Sequence, residues 1–281
     1  MNLGKSVVLL LGLLFFTHFT FAAHAANPLA IPVPSPSEAI CHGRHVASFK
    51  EALSTVVCIV AGDLNLPVYG GHLVLHPNRQ SFESSLIAGT RFDPAYARQT
   101  ASWALAVSTA DRILVNEAAL SALPWSQRIA VIAHEITHST QYGLASGRRS
   151  TSEQWLREGF AEWVSARVTD FLEPGSLAQR TRLAVSRIRK TSRQGLPSLS
   201  QLVTFREFAE LRTGFAGSAV YDVSFLAADF LIGKVGLPAV VNYFRLFSLS
   251  DDRGRNFQTA FGQDLSALED RFSSYLQKLV E

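Results

Sequence analysis

The strongest hydrophobic rhythm in the chain lies between Trp125 and Gly143. Ile129, Ile132, Ala133 and Ile136 follow the i, i+3, i+4, i+7 spacing of one helical face, so this stretch predicts an amphipathic helix with one side on a core. Ser126, after Pro124-Trp125, predicts its N-cap, and Gly143 its stop. A second helix is predicted from a cap at Thr151 or Ser152 to about Phe171, ended by Glu173-Pro174-Gly175. Further helices follow: a largely apolar one from Gly217 to Lys234, and a final one over about 264–280 with Leu265, Leu268, Phe272 and Tyr275 on one face. Upstream, Val46, Phe49, Leu53 and Val57 predict a helix over His45–Val60. Leu73-Val74-Leu75-His76 reads as a short strand, and Asp111–Asn116 as the best strand in the chain. No period of 20 to 50 residues recurs, which excludes a repeat architecture.

The polar face of the first helix carries the chemistry. It reads His134-Glu135-Ile136-Thr137-His138, and a helix advances about 100° and 1.5 Å per residue. His134 and His138 therefore point the same way one turn apart, with Glu135 at the edge of that face. Two neutral imidazoles so placed can hold one Zn²⁺, with the carboxylate in reach of water at the metal. The same pattern also fits a helix that merely exposes two histidines and a glutamate. A hydrolytic zinc site needs a third protein ligand. Trp155-Leu156-Arg157-Glu158-Gly159-Phe160-Ala161-Glu162 supplies one in Glu158, with 19 residues between it and His138. Glu162, a turn further on, can accept the outer N–H of a ligand histidine.

These two motifs resemble the gluzincin zinc metallopeptidases. The spacing is that of the thermolysin-like enzymes. Trp-Leu-x-Glu-Gly-Phe-Ala is similar to the second motif of the M1 aminopeptidases, and the Glu-Gly-x-Ala-Glu run to that of small peptidase MA-like domains. The resemblance spans about 110–240. It implies an α+β, zincin-like fold: a small mixed α/β N-terminal lobe with an edge strand, a helical C-terminal lobe, and the active site in the cleft between. It further implies Zn²⁺ held by His134, His138 and Glu158, Glu162 behind them, Glu135 as general base, and a tyrosine for the oxyanion. Tyr221 matches that tyrosine by its neighbourhood, with Tyr142, one turn after His138, as the rival. An edge strand before the metal helix, here Asp111–Asn116, would pair with substrate backbone, although an ordinary buried strand would look the same. Metzincins are excluded, because Gln141 and Leu144 stand where that group needs Gly and His. The Gly-x-Met-Glu-Asn sequence that binds a free amine in M1 enzymes is absent and the only methionine is Met1, so an endopeptidase is preferred to an aminopeptidase.

Composition adds the setting. At 281 residues, 47% hydrophobic and 17% charged, the chain can build one large domain or two small lobes. Lys5, the apolar run from Val7 to Ala23 and the small-x-small Ala23-His24-Ala25 read as a signal peptide over 1–25, with an uncleaved anchor as the alternative. The expected location is secreted or periplasmic. Four prolines within 27–37 read as an extended linker, assigned to 26–40. The metallopeptidase domain would then span 41–281, divided near 148. Cys41 and Cys58 are the only cysteines and are expected to pair in an oxidising compartment.

Beyond Lys5 the chain holds 25 basic residues (26 less one) against 23 acidic, too small a surplus for a nucleic-acid partner. Later segments lack the length and apolarity to cross a membrane. Arg180, Arg182, Arg187, Arg189, Lys190 and Arg193 form a basic stretch that reads as a solvated face or a contact for an anionic surface. His72 and His76 share a strand face roughly 13 Å apart, too far to share an ion, and read as surface histidines. The expected partner is a peptide or protein substrate. The alternative is a non-catalytic zincin-like module that binds a peptide or protein at the cell surface, against which the intact Glu135 argues.

Overall fold

The computed structural model describes residues 27–280 apart from 91, 149–150, 192–194, 215–216 and 218. The signal-peptide reading of 1–25 lies outside the described residues. The first half builds a four-stranded sheet with helices on both faces. In chain order its elements are β1 (Leu29–Pro32), α1 (Phe49–Cys58), β2 (His72–His76), α2 (Arg79–Gly89), α3 (Pro94–Ala101), β3 (Ala106–Ser108), β4 (Arg112–Asn116), α4 (Glu117–Ser121) and α5 (Trp125–Leu144). The second half is helical: α6 (Gln154–Leu172), α7 (Ser176–Thr191), α8 (Phe205–Thr213), α9 (Ala219–Val235), α10 (Leu237–Leu246), α11 (Arg253–Phe261) and α12 (Leu265–Val280). This is the expected α+β fold with a helical C-terminal part.

The sheet order is β1-β2-β4-β3, with β2 parallel to β4 and both outer strands antiparallel to their neighbours. Strand alternation sends side chains to two cores. Leu73, Leu75, Ile113 and Val115 face the main core with Leu53 of α1 and Ile132 of α5. Val74 and Leu114 face the other way, onto Phe82, Leu86, Ala97 and Ala101 of α2 and α3. Consequently β4, the strand read from sequence as the substrate-pairing edge, is an internal strand. The edge beside α5 belongs to β3, whose three residues are too few to show a period of two.

The segment read as a linker is also part of the sheet. Leu29–Pro32 pairs with His72–Leu75, so the folded region begins ahead of Cys41. Its prolines conceal this, because proline cannot donate to a ladder, yet an outermost strand tolerates it. Ile31 and Val33 supply the missing signal by packing on the main core. Cys41 and Cys58 form a disulfide across a sequence separation of 17. Closing that loop stabilises the first half by roughly 3 kcal/mol on chain-entropy grounds.

Local chemistry shifts several boundaries. Ser48 accepts a hydrogen bond from the Glu51 N–H and caps α1, so the helix starts at Phe49 rather than His45. Pro124, not Ser126, stands at the start of α5, and Glu153 precedes α6 without a side-chain cap. Gly143 lies inside α5: a Cβ there would come within 2.2 Å of the Tyr69 ring, and the turn out of the helix falls to Ser146 and Gly147, both at positive φ. His76 is buried, only 1% exposed, and hydrogen-bonds Ser81 through Nδ1, which corrects its reading as a surface histidine.

At the centre of the helical half, α6 is buried on most of its circumference, with Trp155, Leu156, Phe160, Ala161, Val164 and Val168 fully enclosed. It lies between α5 and α9. Gly159 permits the second contact, since a Cβ there would sit 2.1 Å from the Ser224 carbonyl oxygen on α9. The basic helix α7 turns part of its charge inward. Arg180 and Arg187 both bind the buried Asp222 of α9, and Arg189 donates to the Leu279 and Val280 carbonyls of α12. No single helix among the described residues is long and apolar enough to cross a membrane.

Candidate metal centre

The buried stripe Ile129, Ile132, Ala133 and Ile136 fixes the rotation of α5, leaving His134 and His138 to face α6. Their Nε2 atoms stand 3.1 Å apart, and Glu158 Oε2 of α6 lies 3.4 Å from the first and 3.6 Å from the second. Ligands on one tetrahedral zinc, at bond lengths near 2.1 Å, are roughly 3.4 Å apart. The three atoms thus form a triangle of the size that one face of such a coordination shell requires. Among the described residues these three side chains are the only His, Cys, Asp or Glu cluster of metal-binding dimensions.

The hydrogen bonds behind the triangle fit the same ion. His138 Nδ1 lies 2.9 Å from Gln141 Oε1, and His134 Nδ1 lies 3.3 Å from Glu162 Oε1. Each outer nitrogen therefore has an oxygen to donate to, which leaves each Nε2 lone pair facing the shared point. Gln141 is itself held, its amide donating to the Arg157 carbonyl of α6 at 2.9 Å. The second oxygen of Glu158 accepts from Gln154, four residues earlier on the same helix face, at 2.7 Å. Glu162 is gripped from behind by Arg180 at 2.9 Å, and Arg180 by Asp222 at 2.8 Å.

Electrostatics follow from this packing. Burial would raise the Glu158 carboxyl, but the imidazoles of His138 and His134 outweigh it and hold it well below the usual carboxylate range. Burial opposes Glu162 in the same way, yet His134 and Arg180 bring it down to about 2. His134 runs in the other direction: burial would lower it, and Glu158 and Glu162 raise it well above the ordinary imidazole value. A proton and a metal would compete for the same lone pair, so metal binding here is coupled to proton release.

Glu135 lies on the β3 side of α5, where the Ser108 hydroxyl donates to its carboxylate at 2.7 Å. Together with His134, Glu162 and Tyr221 it faces a cavity of about 390 Å³. Burial and the nearby Glu158 push the Tyr221 phenol upward, so it stays protonated at neutral pH. Its ring packs edge-on against Phe208 at 5.2 Å. Tyr142, the rival, lies under the Arg157 guanidinium and is not among the cavity walls.

An HExxH helix facing a glutamate on the following helix, beside the edge of a small mixed sheet, defines a zincin-like metallopeptidase centre. The family model for the Peptidase family M1 domain matches residues 97–270, more than half of the chain, and the chain belongs to that family. No individual curated protein and no solved structure matches it. Membership places the chain among zinc metallopeptidases in general. The resemblance read from the two motifs is thereby shown at the level of the family.

Several residues around the centre escaped the sequence reading. Gln141 reads from sequence only as a residue that excludes metzincins, although its place three residues after His138 puts it on the same helix face. Gln154 could have been found in the same way from its i, i+4 spacing to Glu158. Ser108, Arg180 and Asp222 lie on other elements, and no local spacing connects them to the motifs.

Proposed function

We propose that this chain is an exported zinc endopeptidase that cleaves peptide or protein substrates with Glu135 as general base. The observation that carries the reading is the triangle of His134, His138 and Glu158 donor atoms with the Glu135 carboxylate beside it. His134, His138 and Glu158 would hold the zinc, which when bound supplies Lewis acidity towards a carbonyl and makes water more acidic. Glu135 takes a proton from the attacking water and passes it to the leaving amine. Tyr221, kept protonated, offers its hydroxyl to the negative charge that develops on the carbonyl oxygen.

The edge strand supports a peptide as substrate. Leu105 O accepts from Asn116 N, and Thr109 N donates to Arg112 O. Odd-numbered residues of β3 therefore bond to β4, which leaves the N–H and C=O of Ala106 directed at the open edge for a substrate backbone. The same edge favours internal cleavage. The run Ala104-Leu105-Ala106-Val107-Ser108 carries no acidic side chain to hold a terminal ammonium, and Glu162 is already engaged by Arg180 and His134. Export is supported by the apolar N-terminal run and by the disulfide.

The test is zinc stoichiometry together with cleavage of a peptide library, with and without chelator. Stoichiometric zinc, chelator-sensitive internal cleavage and a Glu135→Gln protein that keeps zinc but not turnover are the expected results. Cleavage by Glu135→Gln at the normal rate would remove the proposed base. Tight peptide binding without turnover across the library would favour a binding module instead.

A further inference from the structure

The basic run of α7 reaches the metal site through a chain of alternating charges. Arg180 and Arg187 are seven residues apart and so leave the same face of the helix, and α7 has no acidic residue of its own. Both reach Asp222 of α9, which is only 1% exposed. Arg187 donates to both oxygens of that carboxylate, from Nε to Oδ2 and from a terminal nitrogen to Oδ1, each at 2.6 Å. Arg180 donates to Oδ1 as well, at 2.8 Å, and through its other terminal nitrogen to Glu162 Oε2 at 2.9 Å. The remaining oxygen of Glu162 faces His134 Nδ1 at 3.3 Å. The order inward from the surface is therefore Arg187, whose side chain is 45% exposed, then Asp222, Arg180, Glu162 and the imidazole.

Each charge in this chain is shared between two neighbours, and their partial burial weakens the screening between them. Arg180 draws on the charge of Glu162 that would otherwise hold the outer N–H of His134. Asp222 restrains Arg180, and Arg187 draws Asp222 the other way. The alternation gives each position a sign. Neutralising Asp222 leaves Arg180 to act on Glu162 alone and removes a negative charge from the surroundings of a dication. Neutralising Arg187 leaves Asp222 to Arg180 alone and removes a positive charge from those surroundings. A brace that acted only by holding helices together would have no such sign: losing either side chain would loosen the site.

We propose that Asp222 and Arg187 are positioning residues that set zinc affinity from outside the ligands, Asp222 raising it and Arg187 lowering it. The inference rests on the zinc site of the reading above and does not require turnover.

The experiment measures zinc affinity of the full chain by competition with a chelator of known strength, at fixed pH and ionic strength. Asp222→Asn should bind zinc roughly 3–10-fold more weakly and Arg187→Gln roughly 3–10-fold more tightly. Arg187→Lys keeps the charge and should stay near the natural protein. Arg182→Gln removes an exposed charge from the same helix but outside the chain, and should change nothing. Denaturant unfolding of the metal-free proteins supplies the second readout. Arg187→Gln should be the less stable protein there, having lost a partner of a buried carboxylate, while it binds zinc the more tightly. If Asp222→Asn does not fold, the Arg187 pair decides, because that residue stands at the exposed end.

Weaker zinc binding by Arg187→Gln, or affinities equal to that of the natural protein, overturns the inference and leaves the zinc site standing. A natural protein that binds no zinc overturns the zinc site and the inference with it.

Discussion

The hydroxyl of Ser108, on the outermost strand of the sheet, reaches the carboxylate of Glu135 on α5 at 2.7 Å and its main-chain carbonyl at 2.8 Å. One side chain thereby ties the strand on which substrate would lie to the base that would act on it. Ser108 engages one oxygen of the Glu135 carboxylate, and Glu135 is among the residues that line the cavity.

Ser108→Ala should release that carboxylate into other rotamers. Given the role proposed for Glu135, kcat should fall roughly 10-fold while KM and bound zinc stay near normal, because the loss concerns the reacting geometry rather than the metal or the strand. Ser108→Thr keeps the hydroxyl and should restore most of the rate. An alanine variant with unchanged kcat would show that Ser108 only joins two elements.

Gln141 connects the two metal-site helices, accepting from His138 and donating to the Arg157 carbonyl beside Glu158. Replacing it with leucine removes the acceptor that fixes the His138 tautomer and leaves the Arg157 carbonyl without this donor. Zinc affinity, measured by competition with a chelator of known strength, should fall about 10–100-fold. Gln141→Glu retains the acceptor and should lose less. Equal affinities in all three proteins would place the tautomer under some other control.

Gly159 follows Glu158 directly and lies against α9, where a side chain would meet the Ser224 carbonyl oxygen at 2.1 Å. Gly159→Ala must push α6 away from α9, and Glu158 moves with it. We expect a loss of at least ~2 kcal/mol in denaturant unfolding and a matching loss of zinc affinity. Unaltered stability would mean that the helices can separate freely, which their buried faces make physically difficult.

The site and the fold were legible in the sequence to different depths. His134, His138, Glu158 and Glu162 lie on two helices whose apolar faces determine which way their polar faces turn, so spacing alone carries them to one place. Ser108 and Asp222 join the site only through tertiary approach, and no local period records that. The proline-bearing strand Leu29–Pro32 reads as a linker because proline cannot donate to a ladder and is tolerated in a strand only where its missing N–H faces an open edge. The sequence places the edge at Asp111–Asn116, the more apolar strand, yet a strand buried between neighbours is the one that needs such residues. In the basic stretch, Arg180 and Arg187 face a buried Asp222 that lies 35 or more residues away in sequence, so their cationic run gives no sign of an internal partner.

Glu153 offers a stability test that does not depend on the metal. It lies at the start of α6, buried, where the Tyr243 hydroxyl donates to its carboxylate and Arg253 Nε is 3.8 Å from the other oxygen. Burial pushes its carboxyl up to about 7, only partly offset by a backbone hydrogen bond and the Arg253 charge. A group whose pKa rises on folding holds its proton more tightly in the folded chain. Its favourable contribution is therefore complete below the ordinary carboxylate value near 4.5 and is lost as pH rises through about 7. Glu153→Gln keeps a polar partner for Tyr243 but has no charge to bury. Relative to the natural protein it should gain stability between pH 5 and pH 8, by at most ~3 kcal/mol, with the difference largest at the alkaline end. Denaturant unfolding at the two pH values measures this. A Glu153→Gln difference that does not change with pH would mean that the folded and unfolded chains ionise this carboxyl alike, and that Arg253 neutralises it more completely than a contact at 3.8 Å implies.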